Sequence, residues 1–315
     1  STNRASVTLL FVDSDEGFVF LNESNVADLE AASFVAATGG TITTCGDCKI
    51  HTFTESGTFE VTSAGNSKGS NSVNYLVVAA GGGGGEYPIT IGAGGVDGGN
   101  NPGDPIGTNG ANSIFSSITS AGGGFGGSPV HTFCGTRNGD GGNGGSGGGG
   151  GTGPGSPVSN DGGSGNTPPV SPSQGNNGGS GSGGPNCGST GGGGGGANAV
   201  GVNGQTPGSA PSSNMGACGG AGSPNQINGS NVTYAGGGGA SRQYTPGSGI
   251  SVPVGGSGGA GGGGNGGGQG GQTPNNTEAT SATANTGGGG GGGRGNGAGG
   301  NGGSGVVIIR YKFQA

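Results

Sequence analysis

Residues 255–272 read GGSGGAGGGGNGGGQGGQ, and divided into triplets (GGS GGA GGG GNG GGQ GGQ) every first position is glycine. A second run, 141–155, divides the same way into GGN GGS GGG GGT GPG. A period of three is the repeat of the polyproline II helix, which has no internal hydrogen bonds and must find partners on neighbouring chains. Glycine removes the Cβ, so such helices can pack backbone against backbone, joined by N–H to C=O bonds and Cα–H to O=C contacts. The triplets therefore predict an all-glycine edge facing neighbours, with Ser, Ala, Asn and Gln turned outward. Each bond nets only about 0.5–1.5 kcal/mol, close to the backbone entropy of about 1–2 kcal/mol per ordered residue, so several helices must pack together or none will hold.

Two other readings compete for the tract, which spans residues 81–305 and ends near the heptaglycine 287–293. Glycine-rich sequence is most often a flexible linker, and collagen also has a period of three. Collagen requires strict G-X-Y with abundant proline, which 16 prolines and long oligoglycine runs do not supply. Against the linker stands the framing: only seven of the 95 glycines precede residue 81, and strand-like sequence lies on both sides. The heptaglycine, bare on every edge, is expected in the interior of the bundle.

Working outward, VVIIRYKF at 306–313 is a strong strand at the far end of the tract. On the near side, SVTLLFV (6–12) and FVFL (18–21) flank DSDEG (13–17) and predict a β-hairpin. TITT follows at Thr41. IHTFT (50–54) and TFEVT (58–62), around Glu55-Ser56-Gly57, predict a second hairpin, with Ile50 and Thr52 on one face and His51 and Phe53 on the other. VNYLVVAA (73–80) reads as a buried strand entering the glycines. Within the tract, YPITI (87–91) and SIFSSI (113–118) carry strand signals. The run 25–37 has enough Ala, Leu and Glu for one short helix but no clear amphipathic period. The expected fold is mainly β and irregular, with few or no α-helices. A hairpin segment (1–36), a β-rich region (37–80) and a terminal strand (306–315) frame a polyglycine II bundle (81–305), and the two ends of the chain are expected to pair.

Composition narrows the function. With 26% hydrophobic residues, no Trp and one Met, a conventional enzyme core is not expected. Charged residues make up 7% of the chain, the net charge is −7, and the eight Lys and Arg are scattered, which speaks against nucleic acid and anionic membranes as partners. There is no apolar run of membrane-spanning length and no signal-like segment after Ser1, so a soluble chain is expected; whether residues precede Ser1 is open.

The chemical motifs are weak. Cys45-Gly-Asp-Cys48 has half of a zinc or redox spacing but no second pair, and a turn between strands is the better reading. The five cysteines are irregularly spaced and do not form a disulfide framework. The acidic turn 13–17 lacks the twelfth-position Glu of a calcium loop, Ser24 standing there. No GK[ST] follows the glycine runs, and two distant histidines support no hydrolytic triad. Sequons at Asn22, Asn228, Asn231 and Asn275 are what chance supplies in this composition. No catalytic residue, metal site or cofactor is expected.

What remains are islands where glycine stops and rarer side chains gather: His131, Phe133, Arg137 and Asp140; Tyr234; Arg242, Gln243 and Tyr244. Loops on a rigid scaffold are where recognition is usually built, and aromatics with Arg, Asn and Asp suit sugar faces and hydroxyls. These eight residues are the candidate binding set.

The succession ATGGTITTCGDCKIHTFTESGTFEV (37–61), NYLVVAAGGGGG (74–85), ITIGAGG (89–95), NGANSIFSSITSAGGG (109–124) and GGSGVVIIRY (302–311) resembles the glycine-rich domain at the ends of bacteriophage tail-fibre and related virion proteins. Residues 6–21 are similar to the β segment that precedes this domain in marine phage tail proteins. Cys48 stands where that family more usually has an aromatic residue. The resemblance implies a non-enzymatic, extracellular virion component that meets a host-surface receptor, a glycan or an outer-membrane protein, through loops on polyglycine helices. It also implies contact with other tail proteins and a homo-oligomer, trimers being common among fibres. A purely structural assembly or filament role is the alternative.

Overall fold

The computed structural model describes residues 5–13, 17–25, 31–78, 87–98, 106–128, 139–151, 160–182, 190–205, 215–242, 254–269, 276–293 and 297–313. No α-helix occurs among them. Strands β1 (Ala5–Asp13) and β2 (Gly17–Asn25) form the expected antiparallel ribbon. The weak helix signal at 25–37 is corrected at its end: Val35–Thr38 is strand β3, with Val35 and Ala37 buried. Alternation of small apolar residues outweighed a helix propensity that had no amphipathic face to bury.

Two sheets pack face to face. One has the order β4 (Thr41–Cys45), β5 (Cys48–Phe53), β13 (Val306–Lys312), β7 (Val73–Val78). The other has the order β10 (Ile118–Ser120), β9 (Ser113–Phe115), β8 (Tyr87–Thr90), β6 (Gly57–Ala64), β3. Phe53, Val307, Ile309 and Tyr311 from the first meet Val35, Phe59, Ile89 and Phe115 from the second. The opposite face of the first sheet is covered by a ribbon of β11 (Ser223–Asn225) and β12 (Val232–Tyr234), where Tyr234 packs with Ile50, Val306 and Ile308. Hence β13 is buried on both faces, which is why VVII needs no polar alternation.

The two ends of the chain pair as expected, β13 lying between β5 and β7. Three local readings are corrected. Segments 50–54 and 58–62 form no hairpin: β5 pairs with β4 and β13, while β6 pairs with β3 and β8 in the facing sheet. Crossing between layers lets Phe53 and Phe59 enter the same core from opposite sides. The SIFSSI signal is two short strands, reversed at Ser116, whose φ is 56°. Finally, β7 is an edge strand, and its Tyr75 is exposed.

The glycine tract is ordered by hydrogen bonds that repeat every three residues. In segment 235–242, the amides of Gly236, Gly239 and Arg242 donate to the carbonyls of Gly261, Gly264 and Gly267. Those of Gly237 and Ala240 donate to Gly220 and Ala217, while the carbonyls of Gly238 and Ser241 accept from Gly194 and Gly191. Further amides arrive from Gly256 and Gly259 and from Gly289 and Gly292, so neighbours surround the segment. That arrangement is a polyglycine II bundle.

Almost all described tract glycines keep φ outside the left-handed region, so their role is mainly steric. A Cβ on Gly238 would overlap the carbonyl oxygen of Gly290. The triplet runs are not single helices. Residues 254–259 and 263–269 lie antiparallel, with Gly266 donating to Gly256, and the reversal uses Gly261 and Gly262 at φ 100° and 92°. Likewise 141–151 folds back so that Gly148 donates to Gly142. Nor is the heptaglycine the deepest part: residues 147–151 and 236–240 are buried throughout, whereas in 287–293 only Gly288 and Gly291 are. Its seven glycines line a cavity.

Where the bundle ends sideways, asparagine replaces the missing neighbour. The exposed Asn143, Asn203 and Asn265 each accept, through Oδ1, a backbone amide of an adjacent segment: Ser164 at 2.7 Å, Ser180 at 2.9 Å and Gly258 at 2.9 Å.

Candidate functional site

Glycine segments run alternately toward and away from the β-sheets. Connections at the sheet end include β9–β10, the ribbon β11–β12, the turn at Gly261 and Gly262, and residues 166–174, held by Gln174 against Thr119 and Ala121. The opposite, distal ends are tied to one another. Ser182 bridges Thr190, Thr190 bridges Arg242, Arg242 bridges Gly268, Gly268 bridges Thr277, and Met215 bridges Val254. Gly151 donates to Gly139 at 2.7 Å.

Of the candidate binding residues, His131, Phe133, Arg137, Gln243 and Tyr244 lie outside the described residues. The described segments that flank them, ending at Ser128, Gly139 and Arg242, finish at the distal end. Asp140 is there too, exposed, its Oδ1 accepting the Asp161 amide at 2.9 Å. Tyr234 is at the other end, in the apolar layer beneath β11–β12 and 9% exposed. Its side chain faces the sheet rather than solvent. Burial raises its pKa above the ordinary 10.0.

Arg242 is 4% exposed and sits where the bridges converge. Its Nη1 donates to the Met215 carbonyl at 3.2 Å, and burial draws its pKa below the ordinary arginine value. Beside it Thr190, 1% exposed, has a buried hydroxyl without a hydrogen-bond partner among the described residues. Thr190 escaped the sequence reading because a lone threonine among glycines carries no motif. A usable signal was nevertheless present: Arg242 is the sole charged residue between Asp161 and Glu278.

A cavity of about 280 Å³ lies within the bundle, lined by glycine segments that include 122–127, 147–151 and 287–293. Asp97 is the one ionisable side chain among the described residues of its wall, so this described lining holds no acid–base pair. The buried polar centre of the β-sandwich is different. His51 Nδ1 is 2.6 Å from the Gly39 carbonyl and its Nε2 is 2.8 Å from the Tyr311 hydroxyl, with no exposure to solvent. Both ring nitrogens are occupied, which makes this a structural lock. Cys45 and Cys48 face each other across the β4–β5 turn as free thiols, in keeping with the turn reading of that motif.

A small β-sandwich carrying an antiparallel bundle of glycine segments defines the class: a side-chain-poor scaffold closed by the strands on either side of the glycine tract. A family model described as a glycine-rich domain matches residues 85–312, and the chain belongs to that family. No curated protein and no solved structure matches it.

Proposed function

We propose that this chain is a non-enzymatic virion component of the tail-fibre or adhesin type, which binds a host-surface receptor through the distal end of its glycine bundle. One observation carries the reading. The islands 129–138, with His131, Phe133 and Arg137, and 243–253, with Tyr244 next to Arg242, are flanked by described segments that end together, opposite the β-sheets. A scaffold whose own surface is mostly glycine, serine and asparagine leaves discrimination to such islands. On this reading the protein is extracellular, sits on an exposed appendage with other tail proteins, and works as a homo-oligomer.

The test is to replace 129–138 and 243–253 with Gly-Ser segments of equal length and measure adsorption to bacterial cells alongside thermal unfolding. Adsorption falls while the fold persists if the reading is right. Unchanged adsorption by a folded variant contradicts it.

A second reading, assembly alone, is favoured by β4. This edge strand is exposed along its whole length and its outer side is unpaired in the sheet, a template for adding a strand from another chain. Charged substitutions at Thr41 and Thr43 would then abolish oligomerisation and leave cell binding by the monomer intact.

A further inference from the structure

A closed ring of chain segments surrounds the cavity in the bundle. Neighbours in the ring are joined by backbone hydrogen bonds: Thr108 donates to Val96, Gly110 to Gly123, Gly124 to Ser146, Gly195 to Gly147, Gly194 to Gly238, Gly289 to Gly236, Gly303 to Gly288, and Gly302 to Gly95, back at the first segment. Every one of these segments lines the cavity. Its volume, about 280 Å³, is far above the ~10–15 Å³ that admits one water.

The wall carries rows of unpaired donors. In a helix of three residues per turn the amides point in three directions, and each direction recurs at every third residue. In 236–241, Gly236 and Gly239 donate to one outer neighbour, and Gly237 and Ala240 to another. The third direction belongs to Gly238 and Ser241, whose amides have no acceptor among the described residues. A Cβ placed on either ring neighbour, Gly194 or Gly289, would have the Gly238 nitrogen as its nearest atom, at 3.3 and 2.9 Å. That nitrogen therefore lies between the two neighbours, on the cavity side. The same reasoning leaves the amides of Ser146 and Gly149, and of Gly290 and Gly293, without acceptors among the described residues.

The wall is also barer than its own packing requires. In the interior of the bundle a Cβ would overlap a carbonyl oxygen, as on Gly238. On the cavity wall it finds space: the nearest described atom would lie 3.5 Å away at Gly191, 3.7 Å at Gly123 and beyond 4 Å at Gly126. None of the three has a left-handed φ, so neither conformation nor a described neighbour demands glycine there. Glycine at such positions permits close approach of a backbone from inside the ring.

We propose that the ring is a binding channel for an extended, uncharged, glycine-rich segment of another protein, whose carbonyls accept from these amides. A guest with three residues per turn presents carbonyls in register with donors spaced by three, and bare edges fit a bare wall. Main-chain hydrogen bonds would supply affinity, as they do when a strand is added to a sheet edge. The described glycine segments of this chain are already bonded to one another, which makes the guest a different polypeptide rather than a second copy. The inference is independent of the receptor reading and concerns the interior of the scaffold, not its distal end.

The experiment titrates the full chain with an uncharged peptide of repeated Gly-Gly-Asn triplets and with its Ala-Ala-Asn counterpart, added to native protein and during refolding from urea. It reads backbone amide NMR shifts, amide exchange and calorimetric binding. With the glycine peptide, saturable shifts are expected at Ser146, Gly238, Ser241 and Gly290, with exchange of those amides slowed at least about tenfold. The alanine peptide, with a Cβ on its edges, should produce neither. Gly191→Leu and Gly123→Leu, which fill the channel where the wall has space, should weaken peptide binding at least about tenfold while thermal unfolding shows the fold retained. If both variants fail to fold, the wild-type titration still decides. No saturable response under either protocol leaves water as the content of the ring and overturns the proposal. An equal response to the alanine peptide overturns it as well, and so do shifts that follow protein concentration without peptide, since these identify a second copy as the guest.

Discussion

His51 and Tyr311, 260 residues apart in sequence, share a buried 2.8 Å hydrogen bond that ties β5 to the last strand of the chain. The imidazole stacks on the Tyr311 ring at 5.3 Å and meets Phe59 edge-on at 5.2 Å. With Nδ1–H donating to Gly39 and Nε2 accepting from Tyr311, the neutral ring is the form that fits. Burial lowers the His51 pKa below 6.5, and Lys49 lowers it further, outweighing the opposite effect of the Gly39 bond. An unfolded chain therefore takes up a proton before the folded one does. The contribution of His51 to stability is complete above pH 6.5 and is lost as pH falls from there through the lower folded-state value. Urea unfolding from about pH 8 to about pH 5 should show this decline. His51→Phe, weaker by about 1–3 kcal/mol at the alkaline end for its unsatisfied partners, should show it much reduced.

The steric role of glycine separates positions that look alike in sequence. A Cβ on Gly238 overlaps the Gly290 carbonyl, whereas one on Gly126 meets nothing within 4 Å. Gly238→Ala should destabilise by at least about 1–3 kcal/mol, the usual range for overpacking. Gly126→Ala should be neutral or stabilising by up to about 1 kcal/mol, since it reduces unfolded-state freedom. Thermal and urea unfolding of the two variants check the difference.

Much of the frame could be read from sequence, because its signals are periodic. Alternation of Ile50, His51, Thr52 and Phe53 placed each side chain on its observed face, and VVIIRYKF was legible as a strand, though its burial on both faces was not read from it. The triplets located the bundle but hid its reversals. Gly261 and Gly262 turn the chain with the same residue type that continues a helix elsewhere, and the period of three passes through the turn unbroken. Partner choice was equally silent: nothing local in 50–62 reveals that β5 would prefer β13 to β6. Arg242 and Asp140, singled out because they stand in islands where glycine stops, both lie at the distal end. Tyr234 was misplaced because an aromatic after a glycine-poor island looks the same whether it faces solvent or a sheet.

Edge asparagines stand in for absent strands. Asn203→Ala removes the Oδ1 that accepts the Ser180 amide and should cost about 0.5–1.5 kcal/mol, while Asn203→Asp, which keeps an acceptor, should cost less. Unfolding free energies of the two variants provide the check.

Tyr234 belongs to the fold. Tyr234→Ala opens the layer between β11–β12 and the four-stranded sheet and should cost about 3–5 kcal/mol, as large aromatic truncations do. Tyr234→Phe should retain most of the stability. Protein carrying Tyr234→Phe should bind cells as the wild type does, which adsorption and calorimetry together would establish.

The central claim is that glycine backbone forms an ordered interior. Amide hydrogen exchange tests it most directly. Amides of Gly236, Gly237 and Gly239 in the bundle interior should be protected to a degree comparable with Ile308 and Ile309 in β13. Exchange of those glycines at unstructured-chain rates, with β13 still protected, would contradict the account.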